Sequence, residues 1–382
     1  MTEQYLEHAL KILTSPYSQV KGNSKETGLI SLFGGESYHD LQEGYPIVTT
    51  RKLPIKWATH ELIWFLKGDT NIKYLEDNGV PYWRKDTFQH NLPKMVEEGI
   101  YPDGLKKYSN EWEEATKDFG QRIMEDETFA KKWGDAGPVY PGLWRHWPEY
   151  IPITLDNKPI LKDGKPVQLY IRDKEGIDQL AEFFEKAKKN PTSKRHIISA
   201  WEVSEVPNMS LPSCHTLYQI NVNQRNDSLE VKLHQRSGDY FLGIAANQAQ
   251  YSDLTIILAN QLGLKPGRFI HSFGDAHFYF PLGKTDRWLR ENFEEFQQNI
   301  KNVKDRDGYS EVLDWMVKGI DEKDSEKNDY NHVTAILEQL SREPFPKAKR
   351  EIANKPIDQL TIDDFKLIGY NSHPAIRRKM AV

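Results

Sequence analysis

Cysteine is almost absent from this sequence: Cys214 is the only one among 382 residues. A single cysteine cannot form an intrachain disulfide, which is compatible with a reducing cytosol. Long apolar runs are missing too, since no stretch approaches the roughly 20 apolar residues that a membrane-spanning helix needs. The first residues, MTEQYLEHALKIL, include acidic side chains and lack the cationic start of a secretory signal. We therefore expect a cytoplasmic protein with no membrane partner.

An excess of basic residues is also missing. Lys and Arg number 51 against 56 Asp and Glu, which gives a formal net charge of −5. No basic block marks a binding site for a nucleic-acid backbone, so we expect no nucleic-acid partner and favour small-molecule chemistry. The length is ample for a buried core, and we predict one domain over residues 1–382 with insertions.

Hydrophobic periodicity predicts an α+β fold. Helical spacing and strand-like runs alternate irregularly, and the links after residue 215 look too short for helical crossovers, which favours a large sheet covered by helices. Asn, Asp and Ser in NQRNDSL, 223–229, predict a hairpin turn. The predicted helices are 2–14, 56–67, 174–188, 244–263 and 284–302; the predicted strands are 29–34, 167–172, 195–201, 215–224, 228–235 and 267–280.

Two segments look inserted. Residues 84–132 and 303–330 are rich in Lys, Glu, Asp and Gly and show weak apolar periodicity. Solvated helices and loops on the surface are a more common explanation for such segments than a separate binding module.

Cys214 lies in LPSCHTLYQ, at the start of a predicted strand. A lone cysteine in a strand is more often an inert small hydrophobe than a nucleophile. His215 is a poor base for it, because successive strand side chains point to opposite faces. If Cys214 is catalytic, a cation from another segment, such as an arginine, must favour its thiolate.

Polar residues interrupt the apolar pattern of LHQRSGDYFLGIAANQAQYSDL, 233–254, and Gly238 and Gly243 there allow close approach to a ligand. Solvated polar residues at a strand end are the simpler interpretation. Asn247, however, lies near the start of an apolar helix, where its amide offers one acceptor and two donors. That set matches the N3–H donor and O4 acceptor of uracil, whereas cytosine presents the reverse pair.

Taken together, these segments resemble the thymidylate synthase family, which includes pyrimidine deoxynucleotide hydroxymethylases. The resemblance covers most of the chain apart from the two insertions. It rests on HELIWFLKGDTN (60–71), GDAGPVY and WRHW (134–147), SKRHIISAW (193–201), LPSCHTLYQ (211–219), HQRSGDYFLG with Asn247 (234–247), FGDAHFY (273–279) and HPAIRRKMAV (373–382).

The resemblance implies a large mixed sheet and a homodimer built sheet against sheet. It implies dUMP as acceptor and 5,10-methylenetetrahydrofolate as one-carbon donor, with no metal ion. In that family the thiolate, here Cys214, adds to C6 of the pyrimidine, and C5 then captures the folate methylene.

The resemblance also assigns roles to individual residues. The implied catalytic residues are Cys214, Glu61, Tyr140, Arg236 and Asp239. The implied nucleotide-binding residues are Lys194, Arg195, Arg236, Ser237, Asn247, His277 and Tyr279, the first two reaching over from the partner subunit. The implied folate-binding residues are Trp83, Leu211, Asp239, Gly243 and Val382, and His215 has a structural role.

The chain departs from the family pattern mainly on the folate side. RKDTF follows Trp83 without the usual aspartate and second tryptophan, and Ser213 and Ala246 replace a proline and a phenylalanine. Pro141, Leu143 and Lys194 also differ from the pattern, and NSKETG offers only Lys25 where a phosphate-loop arginine is expected. Losing aromatic rings beside the folate would admit water to the C5 methylene.

We therefore expect a deoxyuridylate hydroxymethyltransferase that makes 5-hydroxymethyl-dUMP, as in bacteriophages with modified uracil in their DNA, which would place it in a host cytoplasm. The alternative is thymidylate synthase, favoured by the terminal KMAV. A dCMP hydroxymethylase should carry aspartate at Asn247. An idle relative with a structural or RNA-binding role needs no Cys214, and a cysteine hydrolase needs a histidine opposite it.

Overall fold

The computed structural model describes residues 2–22, 27–153, 160–162, 165–167, 169–173, 175–320 and 330–379. The chain divides into two compact units. The first comprises residues 1–59, 214–356 and 360–382, and the second comprises residues 60–213 and 357–359. A single catalytic domain over 1–382 stays a prediction.

Helices and strands alternate along both units. The helices are α1 (Thr2–Thr14), α2 (Ile55–Lys67), α3 (Lys73–Asp77), α4 (Arg84–Glu97), α5 (Asn110–Glu125), α6 (Glu127–Trp133), α7 (Tyr140–Arg145), α8 (Gln179–Lys189), α9 (Ala245–Gln261), α10 (Lys284–Lys301), α11 (Asp307–Ile320) and α12 (His332–Leu340).

The strands are β1 (Gln19–Gly22), β2 (Thr27–Phe33), β3 (Glu36–Asp40), β4 (Tyr150–Ile153), β5 (Ile160–Lys162), β6 (Lys165–Val167), β7 (Leu169–Arg172), β8 (Ile197–Ser199), β9 (His215–Asn223), β10 (Ser228–Asp239), β11 (Lys265–Pro281), β12 (Lys349–Ile352) and β13 (Phe365–Ile368). Two-stranded ribbons form from β4 with β7, β5 with β6, and β12 with β13.

A large mixed sheet dominates the first unit and confirms the predicted fold class. Its strands run in the order β1-β2-β11-β10-β9, and β3 also pairs with β11. All neighbours are antiparallel except β10 and β11, which are parallel. The predicted hairpin joins β9 to β10, with Asp227 at a positive φ of 52° in its turn.

The link between β10 and β11 corrects one expectation. It carries α9, and the two strands are parallel, so this connection is a helical crossover of the kind that the link lengths were thought to exclude. Helix α9 is buried along most of its length, including the polar residues Gln248, Gln250, Ser252 and Asp253. A buried helix of this composition requires internal partners for its polar groups.

Residues 84–132 in the second unit comprise α4, α5, most of α6 and the turns between them, and they are not merely solvated surface segments. The ring of Phe88 lies 5.8 Å from Trp112 and 5.4 Å from Phe119, and all three side chains are fully buried. In α5 the large buried apolar residues, Trp112, Phe119 and Ile123, form a narrow stripe among many charged residues. That narrow stripe explains why the sequence pattern looked weak.

The other predicted insertion, 303–330, includes α11, and its residues 321–329 lie outside the described part of the chain. Within α11, Val312 and Met316 are buried, and Trp315 packs against Trp288 of α10 with ring centroids 4.8 Å apart. Across the described residues, no helix combines the length and apolar character needed to cross a membrane.

A buried ion pair anchors α9. Arg350 of β12 donates two hydrogen bonds to the Asp253 carboxylate, at 2.9 and 2.7 Å, and a third to Thr59 at 2.8 Å. The side chains of Arg350 and Asp253 are only 4% and 1% exposed. Removing one partner would leave a charge without compensation inside the protein.

We predict that Arg350→Met lowers the free energy of unfolding by about 3–5 kcal/mol, measured by urea denaturation. The matched control is Lys347→Met, which breaks the exposed pair between Lys347 and Glu43 and should leave stability unchanged. Equal effects of the two substitutions would contradict the importance of the buried pair.

Candidate active site

Cys214 immediately precedes β9 and is half-buried. It forms no disulfide, and its carbonyl oxygen accepts a hydrogen bond from the backbone N–H of Arg236 at 2.8 Å. That bond joins the cysteine to the end of β10, where Arg236 and Ser237 are both half-buried. The predicted nucleophile and its predicted cation thus lie on adjacent, hydrogen-bonded segments.

Asp239 ends β10 and caps the turn that leads into α9. Its Oδ1 atom accepts hydrogen bonds from the backbone N–H groups of Phe241 and Leu242, at 3.0 and 3.1 Å, and lies 3.2 Å from Nδ1 of His332. Burial alone would raise the pKa of Asp239, but His332 and the backbone donors lower it below its ordinary value. The Oδ2 atom is buried without a hydrogen-bond partner among the described residues.

His277 lies beside Asp239, because the two residues are in register on the parallel strands β10 and β11. Its Nδ1 atom is 3.0 Å from Asp275, which also binds Lys21 at 2.6 Å. Burial tends to raise the pKa of Asp275, and His277 and Lys21 together hold it below its ordinary value. The Nε2 atom of His277 is buried and unpaired within the described chain, so it can serve a ligand.

Asn247 lies in the first turn of α9, and several side chains hold its amide. The Oδ1 atom accepts from Nε2 of Gln235 at 3.2 Å, and Nδ2 donates to Oε1 of Gln250 at 3.4 Å. His215 also hydrogen-bonds Asn247, and its ring packs edge-on against Tyr251 with centroids 5.1 Å apart. Burial lowers the pKa of His215 to about 4, although the bond to Asn247 acts in the opposite direction.

Three predicted site residues of the second unit come together around one indole. Nε1 of Trp83 donates to Oε1 of Glu61 at 2.7 Å. The Trp83 ring stands edge-on to Tyr140 at 5.8 Å and lies 5.3 Å from Trp64. A carboxylate fixed by an indole and lined by aromatic rings suits proton transfer with restricted access of water.

The remaining predicted residues have less defined surroundings. Lys194 and Arg195 are exposed in the turn before β8. Leu211 and Gly243 are half-buried, Tyr279 follows His277 on the same face of β11, and Val382 lies outside the described residues.

Three residues absent from the predicted set contact the site: Gln235, His271 and His332. Nε2 of His271 lies 2.8 Å from Oε1 of Gln235, and Nε2 of His332 bonds the carbonyl oxygen of Lys379 at 3.0 Å. Gln235 and His271 occupy inward positions of their strands, where alternation predicts apolar residues. A polar residue at such a position indicates a buried hydrogen-bonding role, and this pattern could have identified both residues from the sequence. Nothing in the sequence links His332 to Asp239.

Among the described residues, no group of three or more His, Cys, Asp or Glu side chains is placed to hold a metal ion.

The chain matches known proteins over its whole length. The family model described as thymidylate synthase matches residues 3–382. The thymidylate synthase of Mycoplasma mobile is 35% identical over 382 residues, that of Mesoplasma florum is 33% identical over 381, and that of Listeria innocua is 33% identical over 389. Each alignment covers 100% of this chain and 100% of the relative.

Buried histidines around the site predict a marked dependence of stability on pH. Burial and the charge of Lys11 lower the pKa of His8 to about 4, and burial together with the N-terminal charge lowers that of His39 to about 3. With His215, these groups stay neutral in the folded protein at pH values where the unfolded chain, with ordinary pKa values near 6.5, binds protons.

We predict that the free energy of unfolding falls as the pH drops from about 6.5 toward 4, by about 1.4 kcal/mol per pH unit for each such histidine. His8→Phe should lower this slope by about 1.4 kcal/mol per pH unit, because it removes one of these protonatable groups. A phenyl ring suits the position, since the His8 ring packs against Tyr240 and Phe273. Urea denaturation between pH 7 and 5 measures the slope. An unchanged slope, matching that of the exposed His146→Ala control, would contradict the assignment.

Proposed function

The chain belongs to the thymidylate synthase family, and we propose that it converts dUMP to dTMP by reductive methylation, with dihydrofolate as the second product. Proteins of this family are transferases that use 5,10-methylenetetrahydrofolate as co-substrate. The observation that carries the proposal is the position of the sole cysteine, whose carbonyl oxygen accepts a hydrogen bond from the backbone N–H of Arg236 at the end of β10. This cysteine belongs to a chain that aligns with a thymidylate synthase over the full length of both.

Cys214 is the proposed nucleophile, which adds to C6 of the pyrimidine. We assign to Arg236 the cation that favours the thiolate. Its backbone N–H bonds the carbonyl oxygen of Cys214. Arg236 and Ser237 bind the nucleotide phosphate in this proposal, and the exposed Lys194 and Arg195 contribute from a partner subunit.

The base and sugar are read by groups that the first unit already holds in place. Asn247 accepts the N3–H of uracil through Oδ1 and donates to O4 through Nδ2. His277 has a buried Nε2 atom that suits a ribose hydroxyl, with Tyr279 beside it on the strand.

The folate side fits the co-substrate. The Oδ2 atom of Asp239, buried without a partner in the described chain, suits the N–H donors of a pterin ring. Methylenetetrahydrofolate supplies the one-carbon unit and the hydride when bound. We assign proton transfer at O4 to Glu61, whose carboxylate accepts a hydrogen bond from Trp83, and removal of the C5 proton to Tyr140. Leu211, Gly243 and Val382 are proposed to line this side.

Reductive methylation is supported better than hydroxymethyl transfer, which the sequence departures favoured. The relatives are named thymidylate synthase, and the aromatic wall of Trp64, Trp83 and Tyr140 is closely packed. Ser213 is fully buried, so its hydroxyl adds no exposed polar surface beside the cysteine. These features favour a site dry enough for hydride transfer.

A homodimer through the open face of the large sheet is also proposed. Leu217, Ile270 and Tyr38 lie on that face, and Leu217 and Tyr38 are 37% and 47% exposed. Register pairs Ile270 with both Lys232 and Tyr38, and Leu217 with His234, so the face is continuous across four strands. Exposed apolar side chains on a broad sheet face are typical of a subunit interface.

We predict that purified protein with dUMP and methylenetetrahydrofolate yields dTMP and an equal amount of dihydrofolate. Mass spectrometry identifies the nucleotide and absorbance follows dihydrofolate. A product heavier than dUMP by one CH2O group, formed without dihydrofolate, would replace this proposal with hydroxymethyl transfer.

We further predict that Cys214→Ala lowers turnover by at least about four orders of magnitude, because covalent activation of the pyrimidine needs the thiolate. Binding of dUMP should persist. With 5-fluoro-dUMP and methylenetetrahydrofolate, the unmodified protein should form a covalent complex that intact-protein mass spectrometry detects, and the variant should form none. Turnover retained by the variant would exclude Cys214 as the nucleophile.

The dimer is tested by Leu217→Glu, which places a charge in the proposed interface. Sedimentation velocity should show a dimer for the unmodified protein and a monomer for this variant, with activity lost in parallel. Gln224→Glu, in the exposed hairpin turn, is the control and should stay dimeric. A monomeric, active unmodified protein would contradict the proposed assembly.

A further inference from the structure

Two buried polar side chains connect Asn247 to the interior of the sheet. Gln235 on β10 is 3% exposed, and His271 on β11 is fully buried. The Gln235 side chain bonds His271 at 2.8 Å, Asn247 at 3.2 Å and the backbone carbonyl of Ser237 at 3.0 Å. A buried hydrogen-bond network of this kind destabilises the folded protein unless each donor faces an acceptor.

The carbonyl oxygen of Ser237 shows which way the Gln235 amide points. A carbonyl can only accept, so the Gln235 atom facing it is the amide nitrogen, Nε2. The amide oxygen, Oε1, must then face His271, and Nε2 of that imidazole must carry the proton. Nδ1 of His271 is then unprotonated, and it is buried without a hydrogen-bond partner among the described residues.

The same logic orients Asn247. Because Gln235 presents a donor, the Asn247 atom that faces it must be Oδ1, and Nδ2 then faces Oε1 of Gln250. If the Asn247 amide flipped, two N–H donors would meet at 3.2 Å, and two oxygens would meet on the other side. The observed orientation is the one that matches uracil, and the flipped orientation would match cytosine.

The geometry points to His271, acting through Gln235, as a positioning residue that holds the Asn247 amide in the orientation selecting uracil over cytosine. This inference rests on the proposed function, since it concerns the base that the same site accepts. His271 itself does not touch the nucleotide in this scheme. It fixes the oxygen end of the Gln235 amide, as the Ser237 carbonyl fixes the nitrogen end, and the two contacts together keep the amide from rotating to offer its oxygen to Asn247.

The surroundings of His271 support a fixed tautomer. Burial, and then the neighbouring imidazoles of His215, His39, His8 and His234, lower the pKa of His271 well below its ordinary value. Its ring also packs against Phe269 and Phe273, with centroids 5.5 and 4.3 Å away. A neutral, packed imidazole with one N–H can donate in only one direction.

The test compares two substitutions at His271. His271→Phe keeps a ring but removes the donor, whereas His271→Gln keeps an N–H donor on a flexible side chain. His8→Phe is the matched control, because His8 is buried beside the same Phe273 ring and makes no bond to Gln235 or Asn247 in the described chain. Thermal unfolding checks that each variant is folded.

Dissociation constants for dUMP and dCMP, with kcat/KM for dUMP, give the readout. We expect His271→Phe to lower the preference for dUMP over dCMP about tenfold, as one unmade buried hydrogen bond would. His271→Gln should restore most of the preference, and His8→Phe should leave it unchanged. Equal loss in His8→Phe, no loss in folded His271→Phe, or no rescue by His271→Gln would overturn the inference.

A second variant covers the case in which His271→Phe does not fold. Gln235→Glu places an oxygen where the amide nitrogen faces Asn247, so Asn247 should turn its nitrogen inward and the preference should move toward dCMP. An unchanged preference would overturn the inference. Failure of the unmodified protein to bind dUMP at all would instead exclude the proposed function, and the inference with it.

Discussion

Each polar group buried inside the first unit must find a partner within the protein, and this requirement fixes where helix α9 lies. Its polar side chains reach in different directions and each is bonded: Asp253 to Arg350, Gln248 to Ser37, and Gln250 to the carbonyl of Ala58. Apolar contacts alone would let a helix slide or rotate slightly, whereas these bonds have narrow distance and angle limits. The position of Asn247 at the start of α9 follows from them.

The same requirement explains how the first unit prepares for ligands. Asp239 Oδ2 and His277 Nε2 are buried atoms that the described protein leaves unpaired, and they lie on adjacent strands in register. Leaving such atoms without partners costs stability, so a ligand that pairs them gains binding free energy. The neighbouring groups, His332 and Asp275, hold both side chains in position before any ligand arrives.

Sequence patterns predicted this architecture well where the cause is local. Strand alternation and turn residues located β9, β10 and their hairpin, and the motif around Cys214 indicated the family. The patterns failed where partners are distant in sequence. His271 and Gln235 are 36 positions apart, and only strand pairing brings them together. The α4–α6 core was missed because its single buried stripe lies among charges. A helix was predicted where α9 lies, but its role as a crossover was missed, because link length alone did not show that β11 runs parallel to β10.

Burial of the histidines underlies both the proposed preference for uracil and the predicted loss of stability at acidic pH. An imidazole that stays neutral keeps one donor and one acceptor, so a row of bonds that passes through it keeps a single direction. Protonating these imidazoles inside the folded core costs free energy, so protons bind preferentially to the unfolded chain and shift the equilibrium toward it. A core that orients Asn247 through His271 must therefore lose stability below the ordinary pKa of histidine. Replacing these imidazoles with hydrocarbon rings would remove the acid sensitivity, but at His271 it would also remove the donor that gives the Asn247 amide its direction.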